Sequence, residues 1–246
     1  MFESYYMGAY WGPRKETALE CARRAELLFH MLARCDSTFT QWYRGGRGAP
    51  RTLPGFPVRQ EAAEWEQLFL GRMLRSDVDD EVIEELGFRA HVWNSKNRDW
   101  TRIELRCGAY SPGAVNVCLL HPPEVGALRE RILSAPLLAE MLTSVATAWD
   151  PDFAIVSSSE MVDLVKKRKG EVRVGWLTYL SRRLGTVPPL PAPVRIEPGT
   201  LGWLLVLSPE RMTAHNPEHV AFTARVRELL DRAGLIQRPD PVTGEE

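Results

Sequence analysis

Residues 4–14 read SYYMGAYWGPR. As a strand, this stretch presents Tyr5, Met7, Ala9 and Trp11 on one face and Tyr6, Gly8 and Tyr10 on the other. It holds no acid, histidine or cysteine, so its rings and small residues suit packing and contact better than chemistry. Gly12-Pro13 closes the strand, and Pro13 suits the first position of a helix. Cys21, Ala25, Leu28 and Leu32 follow at helical spacing, with Ala18, Ala22 and Phe29 widening the stripe and Arg14, Glu20, Arg23 and Arg24 on the wet side. That helix is expected to end near Asp36.

Further along, RGGRGAPRTLPGFPV (44–58) reads as a loop, and a polar helix is expected around Glu61 to Arg75. The acidic run SDVDDEVIEELG follows, with Gly87 suited to cap a helix there. FRAHVW, TRIELRC and AVNVCLL each alternate and predict a three-stranded antiparallel meander, with Pro112-Gly113 at the centre of a type II turn. A helix is expected to start near Glu124 and to restart at Ser134-Ala135-Pro136. DFAIV, VRVGWLTYL and GWLLVL predict three more strands, and VPPLPAPVRIEPG an extended, solvated loop. The closing helix has Asn216 as N-cap, Pro217 as first residue and a stripe of Phe222, Val226, Leu229, Leu230 and Ala233 before Gly234.

The predicted fold class is α+β: a mostly antiparallel sheet with helices packed on one side. Residues 1–238 are read as a single domain and 239–246 as a frayed tail. Strand–helix–strand patterns at 4–43 and 114–156 echo each other, which suggests two similar lobes, 1–110 and 111–238.

Composition narrows the function. With 246 residues, 44% of them apolar and 26% charged, the chain can bury a proper core. A net charge of −1 gives no overall field toward nucleic acid or an anionic membrane. The four cysteines show no C-x-x-C spacing and are expected to be reduced and packed. Neither a signal peptide nor a membrane span is read, so a cytoplasmic protein is expected.

Motifs for catalysis are weak. HNPEH (215–219) matches the H-x-x-E-H zinc pattern, but Asn216-Pro217 starts a helix and leaves His215 outside it. Pro151-Asp152 with Glu171-Val172-Arg173 resembles the acidic pair and basic residue of restriction-endonuclease-like nucleases, with arginine in place of the lysine. Glu104 and Arg106 offer the same pattern more weakly. Ser157-Ser158-Ser159 lacks a nucleophile elbow, GGRG (45–48) lacks the end of a phosphate loop, and KKRKG (166–170) reads as a solvated basic turn. No catalytic residue, cofactor or metal site is assigned.

Two features instead suit a protein partner. Asp77, Asp79, Asp80, Glu81, Glu84 and Glu85 form a local negative patch with no basic residue among them, able to steer a basic partner. Tyr6, Tyr10 and Trp42 are candidate aromatic anchors.

SYYMGAYWGPR with the following ETALECARRAELLFHMLARCD, and YLSRRLGTVPPLPAPVRIEPGTLGWLLVLSPERMTAHNPEHVAFTARVRELLDRAGL near the end, resemble the immunity protein 52 family of bacterial polymorphic toxin systems. The resemblance runs from about residue 4 to residue 236, strongest at both ends and loose from 44 to 88. It implies an α+β fold, no catalysis, and a cognate toxin partner encoded nearby, commonly a nuclease with a restriction-endonuclease-like domain. It carries over no binding residue. The resulting expectation is an immunity protein that occludes its toxin's active cleft and contacts neither nucleic acid nor membrane directly. The alternatives are a metal-dependent nuclease or hydrolase and a non-catalytic scaffold of a secretion system.

Overall fold

A computed structural model describes residues 3–45, 55–95, 99–168 and 170–237. The 239–246 tail and most of the Gly- and Pro-rich loop (46–54) lie outside the described residues. Tyr5–Trp11 forms strand β1, as its alternation requires. Helix α1 (Ala18–Cys35) begins later than Pro13 predicts, with Thr17 as N-cap in a capping box with Glu20. Residues 12–16 are tied down instead: the Gly12 amide donates to Asp152, and the Arg14 amide to the Ala109 carbonyl.

Strands β2 (Trp42–Arg44) and β3 (Phe56–Val58) precede helix α2 (Ala62–Leu70). The predicted meander follows as β4 (Phe88–Trp93), β5 (Arg102–Cys107) and β6 (Asn116–His121). Helix α3 (Ala127–Ile132) ends at Leu133, and α4 (Ala135–Trp149) starts with proline in its first turn. Then come β7 (Phe153–Ser158), the short helix α5 (Ser159–Val165) and β8 (Leu177–Ser181). The loop predicted at 187–199 contributes an edge strand, β9 (Arg195–Pro198), paired with β10 (Gly202–Val206). An edge tolerates proline because one row of amides there has no ladder to serve. Helix α6 (Pro217–Arg232) closes the described chain, with Asn216 accepting from the Glu218 amide as predicted.

Among the described residues the ten strands make one antiparallel sheet, ordered β3-β2-β4-β5-β6-β1-β7-β8-β10-β9. Both expected lobes contribute to it, and β6 of the second lies between β5 and β1 of the first. The fold is α+β. β1 is an inner strand, pairing Met7 with Leu120 of β6 and Tyr5 with Ser158 of β7.

Helices α1, α2 and α4 pack on one side, over Met7, Ala9, Trp11, Ala90 and Leu105. Trp11 stacks on Trp149 of α4 at 5.4 Å, and Phe29 of α1 on Trp65 of α2 at 4.5 Å. The C-terminal carbonyls of α4 receive arginines from three parts of the chain: Arg24 bonds Ala148, Arg14 bonds Trp149, and Arg183 bonds Asp150. These cations satisfy orphan carbonyls and oppose the helix dipole. All four cysteines are free, and burial pushes the Cys118 thiol up to about 12.

The other side of the sheet is divided. Over its β7–β10 half lie α5, α6 and residues 172–176, an addition to the one-sided packing expected from sequence. The side chains that β4, β5 and β6 present there are half-buried or exposed. Register places them in rungs across the strands: Arg89–Arg106–Val117–Tyr10, then His91–Glu104–Leu119–Gly8. A third rung runs Trp93–Arg102–His121, and Tyr6 stacks on His121 at 6.4 Å.

Candidate functional site

The acidic run does not form a helix. Residues 74–83 fold back as a small hairpin, closed by the Ser76 amide on the Glu81 carbonyl, the Ile83 amide on the Leu74 carbonyl, and a bridge between Arg75 and Val82. A helix would have to stack like charges one turn apart, whereas the hairpin splays them. Only Glu84–Leu86 makes a single 3-10 turn, ended by Gly87 at φ +64°. A side chain at Gly87 would strike the backbone at Cys107 and Ala109, so glycine is required there.

Asp77, Asp79, Asp80, Glu81, Glu84 and Glu85 are all exposed, with Val78 at the tip 95% exposed. Arg75 bonds the Asp80 carbonyl at 2.7 Å and its carboxylate at 3.4 Å, bracing the hairpin's base. Hydrogen bonds from Ser76 and the Glu81 amide hold the Asp79 carboxyl below its ordinary value. The hairpin is anchored to the sheet where β5 ends, through the Tyr110 and Ser111 amides on the Glu85 carbonyl.

The aromatic candidates separate. Trp42 is 1% exposed, packed edge-on against Phe29 and stacked on Phe39, with its indole N–H donating to the Phe39 carbonyl. It is a core residue and presents no ring to a partner, a correction to its reading as a surface anchor. Apolar burial won over display because Trp42 faces the α1–α2 side of its strand. Tyr6 and Tyr10 line a groove of about 340 Å³ between β1, β6 and α5, together with Leu119, His121, Val162 and Arg173. Tyr6 is half-buried, whereas Tyr10 is only 8% exposed and stacks on Phe153 at 5.0 Å. Arg173 crosses Tyr10, donating to its hydroxyl at 2.9 Å. Burial pulls the Arg173 guanidinium down, and the Tyr10 and Tyr6 phenols more than offset this, leaving it raised. Burial, then Arg102, pushes the His121 imidazole below its ordinary value.

The residues that suggested metal chemistry have structural partners. Asp152 accepts from the Gly12 amide and pairs with Arg183 at 3.3 Å. Glu171 is held by Arg227 of α6, which is 1% exposed and donates through Nε at 3.1 Å and also through its terminal nitrogen. His219 Nδ1 accepts from the Thr213 amide at 3.0 Å, and His215 precedes the α6 N-cap. Among the described residues no group of three or more histidine, cysteine, aspartate or glutamate side chains is placed to hold a metal ion. No helix among them is long and apolar enough to cross a membrane.

Sequence reasoning missed the open sheet face. Its signal was present in the alternation of FRAHVW and TRIELRC, where arginine, histidine, tryptophan and glutamate share one side.

The chain matches the family model described as Immunity protein 52 over residues 3–239. No curated protein matches it. Among solved structures it resembles Pseudomonas aeruginosa T6SS protein PA0821, with 10% identity and a TM-score of 0.48 over 92% of this chain and 76% of that one. The chain belongs to the immunity protein 52 family.

Proposed function

We propose that this member of the immunity protein 52 family binds one cognate toxin, a nuclease with a restriction-endonuclease-like domain, and blocks its active cleft without catalysing a reaction itself. The observation that carries this reading is the family match across 3–239, nearly the whole chain. A toxin partner follows from the family; its chemistry is the finer step. A nuclease cleft is basic because it must hold phosphates. The acidic hairpin with Asp77, Asp79, Asp80 and Glu81 exposed, and the 3-10 turn after it with Glu84 and Glu85, complement such a cleft and would speed encounter by steering. Tyr6, at the rim of the β1–α5 groove, offers further contact area.

The test is to sequence the reading frames on either side of this gene and to co-express the chain with any toxic product they encode. The expected result is survival with the intact chain, death without it, and loss of the toxin's DNA or RNA cleavage in vitro when the two proteins are mixed at equal concentration. A neighbouring product that degrades no nucleic acid removes the nuclease assignment. Unprotected cells remove the whole reading.

A further inference from the structure

We propose that the open face of β4, β5, β6 and β1 is the main docking surface for the toxin, and that Arg89 and Arg106 there receive a carboxylate-bearing patch of that protein. This rests on the reading of the chain as a toxin-binding protein and identifies where and how it binds.

Arg89 and Arg106 stand directly opposite each other on adjacent antiparallel strands. Like charges so placed repel, and a free protein gains nothing from them. Among the described residues neither side chain has a hydrogen-bond or ion-pair partner, and the Nε of Arg89 is buried without one. Burial, then Arg106, pushes the Arg89 guanidinium below its ordinary value. The neighbouring cations differ: Arg102 pairs with Glu104 at 3.0 Å, Lys166 with Asp163, and Arg173 with the Tyr10 hydroxyl. The uncompensated positive charge is therefore concentrated at one rung. A guanidinium pair offers parallel N–H donors that match carboxylates in two-pronged geometry.

Apolar surface adjoins this charge. Val117 is the next residue on the Arg106 rung, and Leu119 lies one rung over, both half-buried. Beyond them the groove with Tyr6 at its edge continues the concavity. An apolar centre beside a desolvated arginine is the composition of an interface hot spot. A nucleic acid fits less well, because the acidic hairpin is anchored at the end of the sheet where β4 begins and would repel a phosphate chain. The hairpin and the arginine rung carry opposite charges, which would help set the orientation of a partner as well as its approach.

The probe is the toxin that the co-expression test identifies, inactivated by substitution and immobilised, against the chain carrying Arg89→Glu. An acid there faces Arg106 and converts repulsion into attraction, so the variant should melt no lower than the wild type. The expected result is retained or raised Tm together with affinity weakened by more than about tenfold; Arg89→Ala with Arg106→Ala should weaken binding likewise. Unchanged affinity in both variants, with the wild type binding tightly, overturns this docking face and leaves the toxin-binding reading intact. A wild-type chain that does not bind the immobilised toxin overturns both. Binding to a DNA duplex that the same substitutions abolish, with toxin binding unaffected, overturns the carboxylate assignment.

Discussion

The hydroxyl of Tyr10 lies over Gly8, 2.6 Å from where a β-carbon on that glycine would stand. The ring thus runs back along its own strand, between Phe153 and the Arg173 guanidinium. Gly8 is there because the Tyr10 ring needs the space. Gly8→Val should displace the ring and lower stability by about 1–3 kcal/mol despite valine's preference for strands. Urea unfolding of the two proteins checks this, and a more stable variant would contradict it.

Arg227 and Glu171 form an almost fully buried ion pair that ties α6 to the segment leading into β8. Arg227→Ala leaves the buried Glu171 carboxylate with only Arg168, at 4.0 Å, as a cation partner and should cost about 3–5 kcal/mol. Replacing both members, as Arg227→Met with Glu171→Leu, should recover much of that loss. Thermal melts of the single and double variants decide between a paired and an independent role.

Glu3 joins the first residues of the chain to the 212–214 segment. Burial pushes its carboxyl up, but hydrogen bonds from Thr213, the Ala214 amide, Tyr5 and Ser158 more than offset this and hold it below its ordinary 4.5. A carboxyl with a depressed folded-state pKa contributes stability that is present above its unfolded value and lost as pH falls through the folded one. The wild type should therefore lose stability below about pH 4.5, in the range set by this shift. Glu3→Gln should be weaker by about 2 kcal/mol at neutral pH, with the gap narrowing on acidification. Melting temperatures of both proteins between neutral and acid pH test the sign; a gap that widens at low pH would refute it.

Charge reversal of Asp77, Asp79 and Glu81 to lysine should slow association with the toxin and flatten its dependence on ionic strength, with little change in Tm because these residues are exposed. Stopped-flow mixing at low and physiological salt measures both effects. Equal rates for the two proteins at low salt would remove the steering role.

Trp42→Ala should destabilise by about 3–5 kcal/mol, since it empties a site between Phe29 and Phe39. The fraction that remains folded should bind the toxin as tightly as the wild type. Calorimetry below the variant's melting temperature separates the two effects.

Local signals in the sequence were strong where they came from one element alone. The alternation of β1, the meander of β4 to β6 and the Asn216 cap were legible because periodicity and caps act within a few residues. The Thr17–Glu20 capping box was equally local, and the nearby Pro13 obscured it. The burial of Arg227 was not legible, because its cause is Glu171, 56 residues away. The acidic hairpin was legible as charge but not as shape, since closing it depends on backbone bonds that composition does not encode. For the candidate site, the sequence reveals the exposed charge of the acids and the aromatic content of β1, but not that Tyr10 and Trp42 are buried. It could not reveal that Arg89 meets Arg106, because that depends on the register between two strands.

The placement of β1 also shapes how the molecule is made. Strand β1 has its two neighbours at residues 116–121 and 153–158, so one of its edges stays empty until about half of these residues are translated and the other for longer still. Such distant pairings slow folding and leave an aromatic ribbon available for wrong partners meanwhile. A half-made chain therefore carries an unpaired central strand, and the sheet can close only once its second half has been translated.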